Sequence, residues 1–124
     1  MALHINDQLT QLYNLEKELI TQRTNFKNYV NTEIMLMQNQ AKYKTTLEEL
    51  GNINDNRKIY QPIGKAFIIR NKEEYIKDLK FLIEKCDKDI SETSKIKEHA
   101  DKKLKECERN VMELTKSMSL LKAN

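Results

Sequence analysis

Over residues 76–121, apolar side chains recur at alternating steps of three and four. They are Ile76, Leu79, Ile83, Cys86, Ile90, Ala100, Leu104, Cys107, Val111, Leu114, Met118 and Leu121, and only Thr93 and Lys97 break the series. A mean step of about 3.5 residues is the mark of a coiled coil with a left-handed supercoil. The other face alternates acids and lysines, with Glu84–Lys88, Glu98–Lys102 and Asp101–Lys105 spaced four apart. Such pairs add only a few tenths of a kcal/mol each, so this face is solvated. A second helix is predicted over residues 5–50, where no proline or glycine precedes Gly51. Its pattern is less regular. One apolar line is Ile5, Leu12, Leu19 and Phe26; another is Leu9, Val30 and Met37, interrupted by Glu16 and Arg23. Towards Gly51 the apolar surface widens to Ile34, Met35, Leu36, Met37, Ala41, Leu47 and Leu50, with Met35 and Met37 read as gap-filling core ahead of the alternative, an adaptable surface for apolar partners. Gly51 then stops the helix, and Asn52 to Asn56 form a polar loop.

Between the helices, residues 57–70 read as a β-hairpin region. Ile59, Tyr60 and Ile63 suit one short strand and Ala66 to Ile69 a second, and Gly64-Lys65 supplies a turn residue that tolerates positive φ. Asn71, followed by Glu74 three positions later, is a capping-box pattern that opens a helix over 72–122. Phe67, Ile68 and Ile69 are apolar in succession, so side chains on both faces of the second strand need cover. A lone hairpin is marginal in water, and an exposed apolar edge templates aggregation. Ile59, Tyr60, Ile63, Gly64, Phe67, Ile68 and Ile69 are therefore expected to form an oligomerisation surface that joins strands of other chains. The plainer alternative is a lid folded back on the helix ends. The expected fold is mainly α: a long antiparallel two-helix coiled coil joined by a single β-hairpin, with residues 1–124 as one domain. Each arm comes to about 70 Å at ~1.5 Å per residue. Arg23 to Asn28 and Thr93 to Lys97 turn polar at similar distances from the hairpin, which favours the antiparallel register.

Composition narrows the choice of function. Charged residues make up 33% of the chain and aromatics 6%, with no Trp, which suits helices sharing a narrow seam better than a globular core. The net charge of +3 arises from 22 basic and 19 acidic residues that are well mixed, so nucleic acid is not an expected partner. No apolar run approaches the ~18 residues of a membrane span, and Met1 to Asp7 lacks the character of a signal peptide. A soluble, cytoplasmic protein with no membrane partner is expected. Cys86 and Cys107 lie on one predicted helix about 30 Å apart at ~1.5 Å per residue, too far for a disulfide. At seam positions they should be reduced, inert hydrophobes. His4 and His99 have no convincing ligand partners, and no phosphate loop or nucleophile elbow is present. No metal, cofactor or catalytic residue is expected, and the chain is not read as an enzyme.

The run Tyr60-x-x-Ile63-Gly64-x-x-Phe67-Ile68, then Asn71-Lys72-Glu73-Glu74 and an apolar heptad helix, resembles the β-type subunits of the prefoldin family, most of all the eukaryotic subunit 1 branch. The architecture matches over the whole chain, while the specific motif is confined to residues 57–83. A single hairpin argues against the α type, which carries two. Pro62 departs from the family pattern, and a residue without an N–H puts strand pairing at that point in question. The resemblance implies a subunit of a heterohexameric, ATP-independent co-chaperone. Such a complex holds unfolded clients of the actin and tubulin kind and delivers them to the cytosolic chaperonin. Its implied partners are other prefoldin subunits of both types, those clients and the chaperonin.

Leu3, Ile5, Met118, Leu120 and Leu121 bring apolar side chains to the ends of both helices and are the expected client-binding residues. Leu120 and Leu121 are adjacent, so one seam cannot hold both equally. The plainer reading of these residues is a frayed end with a few exposed apolar side chains. Two other readings compete with the co-chaperone itself. A coiled-coil scaffold or tether would self-associate through its helices regardless of the hairpin, and an electrostatic binder would show steep salt dependence.

Overall fold

The computed structural model describes the backbone of residues 2–123 and the side chains of residues 5–121. The elements follow in the order α1 (Ala2–Gly51), β1 (Ile59–Ile63), β2 (Ala66–Arg70) and α2 (Lys72–Ala123). Two long helices thus flank one antiparallel hairpin, as the hydrophobic pattern predicts. Internal contacts divide the chain into two units. One is Glu33–Glu92, and the other takes the remaining part of each helix.

Within Glu33–Glu92 the end of α1 and the start of α2 run antiparallel. Gln40 Nε2 donates to the Ile83 carbonyl at 3.2 Å and to Asp87 Oδ1, while Lys72 Nζ donates to the Ile53 carbonyl at 2.7 Å. Leu50 and Leu79 are the most buried of the core residues, at 4% and 3% exposure. In the other unit Leu19 shares a groove with Val111 and Met112, and Tyr29 lies near Ile96 and Ala100, again antiparallel. No large side chain among the described residues is fully buried, as expected where two helices cover each other along one stripe.

The seam of α2 follows the expected series. Leu79, Cys86, Ala100 and Cys107 are buried, and the other members are half-buried except Leu121, which is exposed. Burial pushes the Cys107 thiol above its ordinary pKa, and the nearby Glu18 and Glu106 carboxylates push the same way. A neutral buried thiol is a poor nucleophile, in keeping with an inert role.

The seam of α1 corrects the second apolar line. The inward positions are Gln8, Leu15, Gln22, Tyr29, Leu36, Tyr43 and Leu50, interleaved with Leu12, Leu19, Phe26, Glu33, Gln40 and Leu47. Leu9 and Met37 are exposed, and Val30 is half-buried beside the seam. Ile5 is exposed as well. Glu16 and Arg23 therefore interrupt nothing, because they lie outside the seam. Met35 and Met37 do not fill the core, since both point to solvent.

α1 ends at Gly51 with i,i+3 hydrogen bonds from Asn52 N to the Glu49 carbonyl and from Ile53 N to the Leu50 carbonyl, both 3.2 Å. Asn71 caps α2. Its Oδ1 accepts from the backbone N–H groups of Glu73 at 2.9 Å and Glu74 at 3.5 Å. Of the three i,i+4 pairs expected on α2, Asp101 and Lys105 meet, at 3.0 Å.

Candidate interaction surfaces

The strands pair as Ile59↔Arg70, Tyr60↔Ile69, Gln61↔Ile68, Pro62↔Phe67 and Ile63↔Ala66. Two loop residues remain, and Gly64 takes φ +59° while Lys65 does not enter positive φ. A positive φ at the first central position is the type II′ arrangement, whose twist suits a hairpin. A Cβ on Gly64 would meet nothing within 4 Å, so it is the backbone angle that calls for glycine, not lack of space.

Because side chains alternate, this register sorts the hairpin into two faces. One carries Ile59, Gln61, Ile63, Ala66, Ile68 and Arg70. At its base Ile59, Gln61 and Arg70 are half-buried, and the Arg70 guanidinium pairs with Asp78 and lies over the Tyr75 ring. The other face carries Tyr60, Pro62, Phe67 and Ile69. It is wholly apolar and open, with Tyr60 55%, Phe67 69% and Ile69 63% exposed. Of the residues expected to form the oligomerisation surface, Tyr60, Phe67 and Ile69 are thus brought together on one face. Ile59, Ile63 and Ile68 belong to the other, and Gly64 to the turn.

The hairpin is tied to the helices at its root. Lys72 Nζ, in addition to its bond to the Ile53 carbonyl, meets Asp55 Oδ1 at 2.7 Å. That contact holds the Asp55 carboxyl below its ordinary pKa, through the hydrogen bond first and the lysine charge second.

A second surface lies on the unit that lacks the hairpin. An open groove of about 850 Å³ is lined by Leu19, Val111, Met112 and Leu120, with Arg23, Glu108 and Lys116 among its polar residues. Met112 and Leu120 are 71% and 61% exposed. Among the expected client-binding residues with described side chains, only Leu120 lines this groove. Ile5 and Leu121 are exposed elsewhere, Met118 is half-buried, and the Leu3 side chain lies outside the described residues. Sequence reasoning missed Met112, although its place next to the seam residue Val111 was the available signal. Among the described residues no group of three or more His, Cys, Asp or Glu could hold a metal ion.

A family model described as Prefoldin subunit matches residues 4–118. The chain belongs to the prefoldin subunit family. It is similar to prefoldin subunit 1 of Tetraodon nigroviridis, with 26% identity over 117 residues that cover 92% of this chain and 94% of the relative. Among solved structures it resembles the prefoldin β subunit of Thermococcus strain KS-1. There the TM-score is 0.70 at 17% identity, over 83% of this chain and 90% of that one. One hairpin between two helices is the β-type prefoldin fold, so the type expected from the residues holds. A prefoldin subunit is part of a chaperone, and its partner class is other prefoldin subunits. No helix among the described residues is long and apolar enough to cross a membrane.

Proposed function

We propose that this prefoldin subunit works within a cytoplasmic, heterohexameric, ATP-independent co-chaperone that holds unfolded clients of the actin and tubulin kind and delivers them to the chaperonin. The observation that carries the reading is the open apolar hairpin face of Tyr60, Pro62, Phe67 and Ile69. A two-stranded sheet with that much uncovered apolar surface calls for cover from neighbouring subunits. Assembly runs through the hairpin, with the exposed Ile63 and Ile68 on the opposite face, Ile59 at its base and Gly64 in the turn completing the surface. Clients bind on the other unit, in the groove that contains Leu120 and beside the exposed Ile5 and Leu121. An open, apolar and shallow groove suits weak binding of many non-native chains, and several subunits acting together add avidity. The reading involves no catalytic step.

The double variant Phe67→Ser/Ile69→Ser tests it. Burying each of these side chains is worth about 1.5–3 kcal/mol, so the variant should stay helical by circular dichroism yet fail to co-purify with partner subunits. Co-purification in full yield would remove the assembly reading. Met112→Asp/Leu120→Asp should leave the complex intact and lose the suppression of aggregation of an unfolded test protein. Full suppression would place the client surface elsewhere.

A further inference from the structure

Positive and negative side chains are well mixed along both helices, but not at the root of the hairpin. A pocket of about 500 Å³ is lined there by Arg57 and Lys58 from the loop into β1, Arg70 from the end of β2 and Lys72 from the start of α2. Among the described residues, the carboxylates in its wall are Asp55 and Glu73. Most of the chain's net charge of +3 is thus gathered in one place.

The four cations are not equally committed. Lys72 is held by Asp55 and by the Ile53 carbonyl, both at 2.7 Å. Arg70 pairs with Asp78 through Nη2, while its buried Nε meets no acceptor. Arg57 and Lys58 are exposed, and among the described residues neither meets a carboxylate. An unmet buried donor beside two unpaired cations leaves this wall short of acceptors. Carboxylates supply them best, because a guanidinium fork matches their two oxygens.

The pocket is continuous with the open apolar face, since Ile69 belongs to both. A chain that covers Tyr60, Phe67 and Ile69 therefore comes within reach of Arg57 and Lys58.

We infer that the hairpin root takes an acidic segment of the neighbouring prefoldin subunit, and so selects which subunit settles on the apolar face. The inference rests on assembly through the hairpin and adds the partner's chemistry. Apolar cover is non-directional and discriminates poorly among partners. Charge does discriminate, because a basic segment brought against Arg57 and Lys58 is repelled and an acidic one is drawn in. Nucleic acid suits the pocket less well, as no aromatic ring in its wall offers a base a stacking platform.

Competitive reassembly tests the inference. Wild-type chain and a variant are mixed in equal amounts with the other subunits, and native mass spectrometry scores which one enters the complex. At low salt Arg57→Glu/Lys58→Glu should enter about 10-fold less than the wild type, the effect of reversing two exposed ion pairs. The deficit should vanish near 1 M salt, where the screening length falls to about 3 Å. Equal entry at low salt overturns the pocket, and so does a deficit that salt fails to relieve. Phe67→Ser/Ile69→Ser separates this inference from the one beneath it, and should be excluded at every salt concentration. Its full entry would overturn assembly through the hairpin itself.

Discussion

α1 and α2 are almost equal in length, at 50 and 52 residues, and lie against each other within each unit, yet they use their apolar residues differently. α2 places most of its apolar side chains in the seam. α1 turns Ile5, Leu9, Tyr13, Ile20, Ile34, Met35 and Met37 outward and admits Gln22, Glu33 and Gln40 to the seam. The polar member Gln40 is buried, and its amide is used by the Ile83 carbonyl and Asp87. A buried polar group that bonds across the seam fixes register at some expense in stability. The helix with the cleaner repeat therefore lines its side of the seam with fewer polar residues. The other supplies register, and both leave apolar surface outside the seam, α2 at Phe81, Ile96, Met112, Leu120 and Leu121.

The difference can be broken most directly at Leu79. Its replacement by Ala should cost about 2–5 kcal/mol in urea unfolding, because the side chain is nearly inaccessible. A loss below about 0.5 kcal/mol, the range of ordinary surface changes, would take Leu79 out of the seam.

Gln40→Ala should cost about 1 kcal/mol, the usual net worth of a lost hydrogen bond with no charged group stranded in the core, since Asp87 is exposed. Spin labels on the two helices near this site should then report a broader distance distribution than in the wild type. A distribution as narrow as before would mean that Gln40 does not set register.

Ile20→Ser and Ile34→Ser should each change stability by no more than about 0.5 kcal/mol, as both side chains face solvent. Thermal melts of the two variants would sharpen the contrast with Leu79. A large drop would return these positions to the seam.

The smallest expected effect is a pH dependence at the hairpin root. The folded Asp55 carboxyl has a lowered pKa, so its pairing with Lys72 contributes above the ordinary value of 3.8 and is lost as pH falls through the lower folded value. Carboxyl NMR titration should show the Asp55 midpoint rising in Lys72→Met. An unmoved midpoint would remove the lysine as its cause.

What the sequence determined by itself is what depends on neighbours a few residues away. The seven-residue repeat of α2, the positive φ at Gly64 and the Asn71 cap each follow from local backbone geometry or from spacing within one turn, and all three are as expected. The seam of α1 was not legible in the same way. Leu12, Leu19 and Phe26 can be joined into a heptad stripe with Leu9, Val30 and Met37 on one flank or with Leu15, Leu36 and Leu50 on the other, and both choices step by three and four. Only the position of α2 selects the second flank, and this leaves Met35 and Met37 in solvent. The hairpin divides along the same line. Two apolar strands were evident from composition, but the pairing register decides that Tyr60, Pro62, Phe67 and Ile69 share the open face. The groove that gathers Leu19, Val111, Met112 and Leu120 is likewise a tertiary result. Its walls come from residues about ninety positions apart, and no local spacing can bring those together.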